Sequence, residues 1–172
     1  YILPSSGGNV RRITFGLATD FPAFAAFDFN NDGRDDLIVN RTGETSGLVT
    51  HFVGDAQTGA LLLTQQWGSA AVSNGAQITA TFYGNYTGDS RADIAVLYGA
   101  CYASRPTCGS DGRWWIKETG SSNFTVVKWG IPLNFDTGGA PVGDLPDFGD
   151  YDGDGKFDIS VFRPSNSTFY TI

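Results

Sequence analysis

The chain has no basic cluster beyond Arg11-Arg12 and no apolar run approaching the ~20 residues of a membrane-spanning helix. No window carries the 3.6-residue apolar period and caps of a helix. With a net charge of −7 and a pI near 4.4, the missing basic face excludes nucleic acid as a partner, because a phosphate backbone needs Lys and Arg. Catalytic signatures are equally scarce. The one histidine, His51, falls in an expected strand beside Phe52 with no legible partner. There is no G-x-S-x-G, no Cys–His pair and no phosphate loop, so an enzyme is not expected. The N-terminus lacks the basic-then-apolar pattern of a signal peptide, which suggests a mature chain or a fragment.

What the chain does have is enough length, at 172 residues, for one domain with a core or for a few units packed in series. Hydrophobic residues at 41% and aromatics at 14% fit a globular protein, and 23 glycines point to many tight turns. Cys101 and Cys108 lie in a Gly/Ser/Pro-rich stretch with six residues between them, where a local disulfide would restrict the unfolded loop. N-glycosylation sequons begin at Asn40, Asn85, Asn123 and Asn166. Both features lead us to expect a secreted or cell-surface protein.

Three acidic segments align: Asp28-Phe-Asn-Asn-Asp-Gly-Arg-Asp-Asp-Leu-Ile-Val, Asn85-Tyr-Thr-Gly-Asp-Ser-Arg-Ala-Asp-Ile-Ala-Val, and Asp150-Tyr-Asp-Gly-Asp-Gly-Lys-Phe-Asp-Ile-Ser-Val. Upstream of each sits an aromatic–glycine pair: Phe15-Gly16, Trp67-Gly68 and Trp129-Gly130. Phe169-Tyr-Thr-Ile is similar to both Trp114-Trp-Ile-Lys and Tyr1-Ile-Leu. The repeats run over about 1–47, 48–112 and 113–172 of a single array. Within a repeat the apolar period is two, broken by turn residues, which predicts four short strands per unit. Strands are expected near 1–4, 10–15, 22–28, 36–40, 47–53, 60–67, 76–83, 92–98, 113–118, 124–129, 142–149, 158–163 and 168–172. Four-stranded units repeating at this length predict an all-β protein of β-propeller-type blades, incomplete at both termini. Three such units do not close a ring alone, so a fragment or a self-associating protomer is expected.

The spacing Asp-x-Asn/Asp-x-Asp-Gly-x-x-Asp suits Ca2+, which takes 6–8 oxygen ligands at about 2.3–2.6 Å. Side chains at positions 1, 3, 5 and 9 converge, glycine at 6 permits the sharp turn, and position 7 offers its carbonyl. In the first loop these are Asp28, Asn30, Asp32 and Asp36 with the Arg34 carbonyl. In the third they are Asp150, Asp152, Asp154 and Asp158 with the Lys156 carbonyl. Carboxylates packed this closely repel one another without a cation. A metal-free Asp/Gly turn is the plainer alternative for a single loop, and two loops with matching spacing argue against it. An EF-hand fails, because position 12 is Val39 or Val161 and the flanks are strands. The middle loop has Asn85, Thr87, Asp89 and Asp93 at the ligand positions and Ser90 in place of glycine, so it is expected to be a degenerate site.

These loops, the aromatic–glycine pairs and Ile159-Ser-Val-Phe-Arg-Pro-Ser-Asn-Ser-Thr-Phe-Tyr-Thr-Ile resemble the FG-GAP/VCBS repeat family. The resemblance is specific in the first and third repeats and loose in the second, which carries the Cys101–Cys108 insertion. It implies a β-propeller like that of integrin α-subunit heads, with calcium in the loop joining the first two strands of a blade. It also implies adhesion, glycan binding or scaffolding more often than catalysis. Two roles are therefore expected: a calcium-binding extracellular structural module that self-associates, or an adhesive, glycan-binding fragment of a larger propeller. Trp114 and Tyr102 would be the stacking residues in the second role, although of Trp114 and Trp115 at least one should be core.

Overall fold

A computed structural model describes residues 1–5, 7–23, 27–43, 47–69, 80–98, 112–132 and 143–172. All regular structure among them is antiparallel strand. Three sheets form in chain order. The first is β1 (Phe21–Pro22), β2 (Leu37–Thr42), β3 (Leu48–Gly54) and β4 (Leu61–Ser69), neighbours in that order. The second repeats the plan with β5 (Ala80–Gly84), β6 (Asp93–Tyr98), β7 (Arg113–Lys117) and β8 (Phe124–Lys128). The third has β9 (Leu145–Gly149), β10 (Asp158–Arg163) and β11 (Thr168–Thr171). Each is an up-and-down meander, with every neighbouring pair of strands antiparallel.

Register is the same from sheet to sheet. Val39 faces Phe52, Val96 faces Trp115 and Val161 faces Tyr170. The aromatic–glycine pairs explain how one unit leads into the next. Gly16, Gly68 and Gly130 all adopt positive φ, at 82, 82 and 87°. A Cβ on them would press on Val39, Val96 and Val161 respectively. Only glycine fits both demands, so each acts as a hinge seated on the second strand of the sheet that follows.

The sheets pack in series through two cores. Phe29, Ile38 and Val53 of the first sheet and its loop meet Tyr83, Ala92 and Ile94 of the second. Ala95, Trp114 and Ile116 of the second sheet meet Ile159 and Val161 of the third. Beside the acidic loops, aromatics from all three repeats converge. Phe157 lies edge-on to Phe27 and Tyr86 and stacked on Phe148, which in turn packs on Phe82.

The expected strands appear, with three corrections. Of the strand expected over 22–28, only Pro22 belongs to β1 among the described residues, the pairing to β2 being limited to Phe21 and Pro22. Segments 1–4 and 10–15 do not form strands in this chain; a single bridge, Ile2 to Arg11, joins them. Their sheet partners by pattern would belong to another unit, and one bridge does not hold a ladder. His51 is not partnerless. It is fully buried, with Nδ1 2.8 Å from Asn40 Oδ1 and 3.0 Å from the Tyr83 hydroxyl, and Nε2 2.8 Å from the Trp67 carbonyl. Burial lowers its pKa.

Candidate metal centre

All three acidic segments sit between the first two strands of their sheets, at the same end of the stack. Their curl is built from backbone N–H groups donating to the acidic side chains. In the third loop, Asp150 accepts from Gly153 and Gly155, Asp152 from Asp154, Asp154 from Lys156, and Asp158 from Tyr151. The first loop repeats the pattern position by position. Asp28 accepts from Asn31 and Gly33, Asn30 from Asp32, Asp32 from Arg34, and Asp36 from Phe29. These bonds draw alternate side chains to the inside of the curl, as the spacing requires.

In the third loop, Asp150, Asp152 and Asp158 each present a carboxylate oxygen within 4.8 Å of the other two. Two ligands at about 2.4 Å from a shared Ca2+ can lie no further apart than about 4.8 Å, so the trio matches the size of a calcium shell. The donors are all oxygen, which suits a hard cation and not zinc or copper. Asp154 lies outside the trio. The first loop brings no three carboxylates together in this way, because position 3 there is the amide of Asn30. Its Asp36 is buried and holds its pKa above the usual carboxylate range, through desolvation and the neighbouring Asp28, Asp32 and Asp55. Arg34, at position 7, stands 3.8 Å from Asp32.

The middle loop has the same backbone path and different chemistry. The Arg91 guanidinium closes on Asp89 Oδ2, with Nε at 3.0 Å and Nη2 at 2.7 Å. Asp93 is fully buried, one oxygen taking the Thr87 N–H and hydroxyl, the other the Thr119 N–H. Ser90 occupies the glycine position at φ 68°, where a side chain is strained. Every acidic oxygen there already meets a donor of the chain.

Asn85 links loops instead of holding a cation. Its Nδ2 donates to the Gly155 carbonyl at 2.7 Å, and its Oδ1 accepts from Gly88. Backbone bonds continue this contact across the repeats. The Ala92 N–H donates to the Asp28 carbonyl, and the Phe157 N–H to the Asn85 carbonyl, each at 2.8 Å. The loops thus form a ladder, position 8 of one against position 1 of the one before. A glycan on Asn85 would break its bond to Gly155. Asn40 is half-buried against His51 and Tyr83, whereas Asn123 and Asn166 are exposed.

Two ion pairs were not expected from the sequence. Asp20 takes a two-pronged contact from Arg41, at 2.6 and 2.8 Å, while accepting the Leu17 N–H. Asp144 does the same with Arg163, at 2.8 Å twice, and with the Ile131 N–H. Both aspartates are held below the usual carboxylate pKa chiefly by these guanidinium bonds. Each arginine also lies over an aromatic of the neighbouring strand, Phe52 or Tyr170. The readable signal is an arginine two residues after the valine that closes Leu37-Ile-Val or Ile159-Ser-Val; the middle repeat has Tyr98 there. Of the aromatics considered for stacking, Trp114 is fully buried, and Trp115 is half-buried against Phe124. Cys101, Cys108 and Tyr102 lie outside the described residues. No model of a known family, no curated protein and no solved structure matches the chain.

Proposed function

We propose that the chain is a calcium-binding structural module of propeller-type blades, similar to FG-GAP/VCBS repeats, working outside the cell in assembly and not in catalysis. The observation that carries this reading is the convergence of Asp150, Asp152 and Asp158 in an all-oxygen loop whose curl is fixed by its own backbone. Calcium there would neutralise the repulsion among the acids and fasten the loop between β9 and β10. The first loop, with Asp28, Asn30, Asp32 and Asp36 and the Arg34 carbonyl, is the second site of the reading. The middle loop carries no ion because Arg91, Thr87 and Thr119 satisfy its acids. Sheets stacked in series, with Phe27, Tyr86 and Phe148 converging on Phe157, support the radial arrangement of blades.

The partner in this role is protein: a neighbouring blade or another copy. A glycan-binding role finds less support, since Trp114 is core. Thermal melting with excess calcium and with chelator tests the metal assignment. Binding only to the folded state adds about 2.7 kcal/mol when calcium is at 100 times its Kd. At about 2–4 °C per kcal/mol for a chain of this size, the melting point should rise by roughly 5–10 °C. Superimposed curves would remove the assignment.

A further inference from the structure

We infer that Asn85 couples the third acidic loop to the middle one, so that calcium held by Asp150, Asp152 and Asp158 orders a loop that binds none itself. The inference rests on the calcium reading above and adds to it a role for the junction between the second and third sheets.

Residues 155–157 lie along residues 84–88 at every step. The Gly155 carbonyl accepts from Asn85 Nδ2 at 2.7 Å, and the Phe157 N–H donates to the Asn85 carbonyl at 2.8 Å. Between these bonds the Lys156 stem runs over Gly88, where a Cβ would collide with its Cε. The Phe157 ring covers Gly84 in the same way and stands edge-on to Tyr86. The same three residues are built into the acidic curl. Gly155 donates its N–H to Asp150, Lys156 donates to Asp154, and Phe157 immediately precedes Asp158. Gly155 therefore has its N–H on a carboxylate of the metal trio and its C=O on Asn85.

The first junction is made differently, and the difference singles out Asn85. There the Ala92 N–H bridges to the Asp28 carbonyl. Asp28 turns both carboxylate oxygens to N–H groups of its own loop, those of Asn31 and Gly33. Arg91, at the position of Lys156, closes on Asp89. A carboxylate has no N–H to offer a neighbouring carbonyl, whereas an amide has two. Asparagine at position 1 of the middle loop thus gives up a cation ligand and gains a donor to the next loop.

Electrostatics sets the direction of the effect. Without a cation, the facing carboxylates of Asp150, Asp152 and Asp158 repel and favour a more open curl. Opening carries Gly155 and Phe157 away from Asn85. With the charge neutralised the curl keeps both bonds, and Asn85 Oδ1 stays in place for the Gly88 N–H. Linkage is reciprocal, so the junction in turn tightens the third site.

Amide exchange followed residue by residue by NMR tests this without any substitution. In the wild type, calcium should slow the Gly88 and Phe157 N–H groups about fivefold or more. In Asp152→Asn/Asp154→Asn, which leaves the first loop intact, the slowing at Gly88 should disappear. Calorimetric titration of Asn85→Ala reads the reverse direction: the third site should weaken about fivefold while the first is unchanged. Calcium binding that leaves Gly88 exchange as it was, slowing that persists in Asp152→Asn/Asp154→Asn, or an Asn85→Ala chain that binds as tightly as the wild type would each overturn the coupling and leave the calcium reading standing. A wild type that binds no calcium would overturn both.

Discussion

The middle and third acidic loops follow one backbone path and solve the same electrostatic problem by opposite means. In the middle loop, Asp89 is held by Arg91, and Asp93 is buried against Thr87 and Thr119. In the third, Asp150, Asp152 and Asp158 converge with nothing of the chain's own charge between them. The exposed Lys156 is the cation at the position of Arg91. The difference teaches that a loop of this spacing needs no cation once an internal donor meets each acid, and its curl survives because positions 4 and 6, Gly88 and Ser90, keep the left-handed backbone of the other loops.

The contrast is broken most severely at Asp93. Asp93→Asn sets an amide N–H2 against either the Thr87 or the Thr119 donor, in a site with no access to water. Leaving such groups unpaired costs about 2–3 kcal/mol, so the urea midpoint should fall equally with calcium and with chelator. A loss confined to calcium buffer would mean that the middle loop binds metal after all.

Asp152→Asn/Asp154→Asn makes the converse test. Each retains an Oδ1 acceptor for the N–H two residues on, as Asn30 does in the first loop. Stability in chelator should therefore hardly change. In calcium the pair should forfeit the third site's share of the stabilisation, about 1–3 kcal/mol by mass action.

Between pH 7 and pH 5 the loss of stability should come from His51. His51 is buried and neutral, with its folded pKa depressed, while the unfolded chain takes up a proton near its ordinary value of about 6.5. The stability it supports is complete above that pH and declines below it, by at most about 1.4 kcal/mol per pH unit. Urea midpoints at pH 7 and pH 5, both in chelator, should show this decline, and a buried neutral replacement at 51 should flatten it. The smallest effect is at Ser90. Ser90→Gly relieves a left-handed residue and should stabilise the middle loop by up to about 1 kcal/mol, without creating a calcium site.

Much of this was legible beforehand because the strands are short apolar runs broken by turn residues and the acidic loops repeat one spacing. β2, β3, β6, β7 and β10 fall within a residue or two of their expected places. What stayed hidden depends on contacts between repeats. The ladder from Ala92 to Asp28 and from Phe157 to Asn85 is backbone to backbone, and no side chain announces it. The partners of His51 come from strands 11 and 32 residues away in sequence. Segment 10–15 carries a strand pattern that its own chain does not use, since a pattern specifies a face and not the sheet that receives it.

Calorimetric titration with calcium tests the central claim most directly, on the wild type and on Asp152→Asn/Asp154→Asn side by side. The account predicts two ions bound by the wild type, at the loops beginning with Asp28 and Asp150, and one by the variant. Absence of binding in the wild type, or the same stoichiometry and affinity in both proteins, would contradict it.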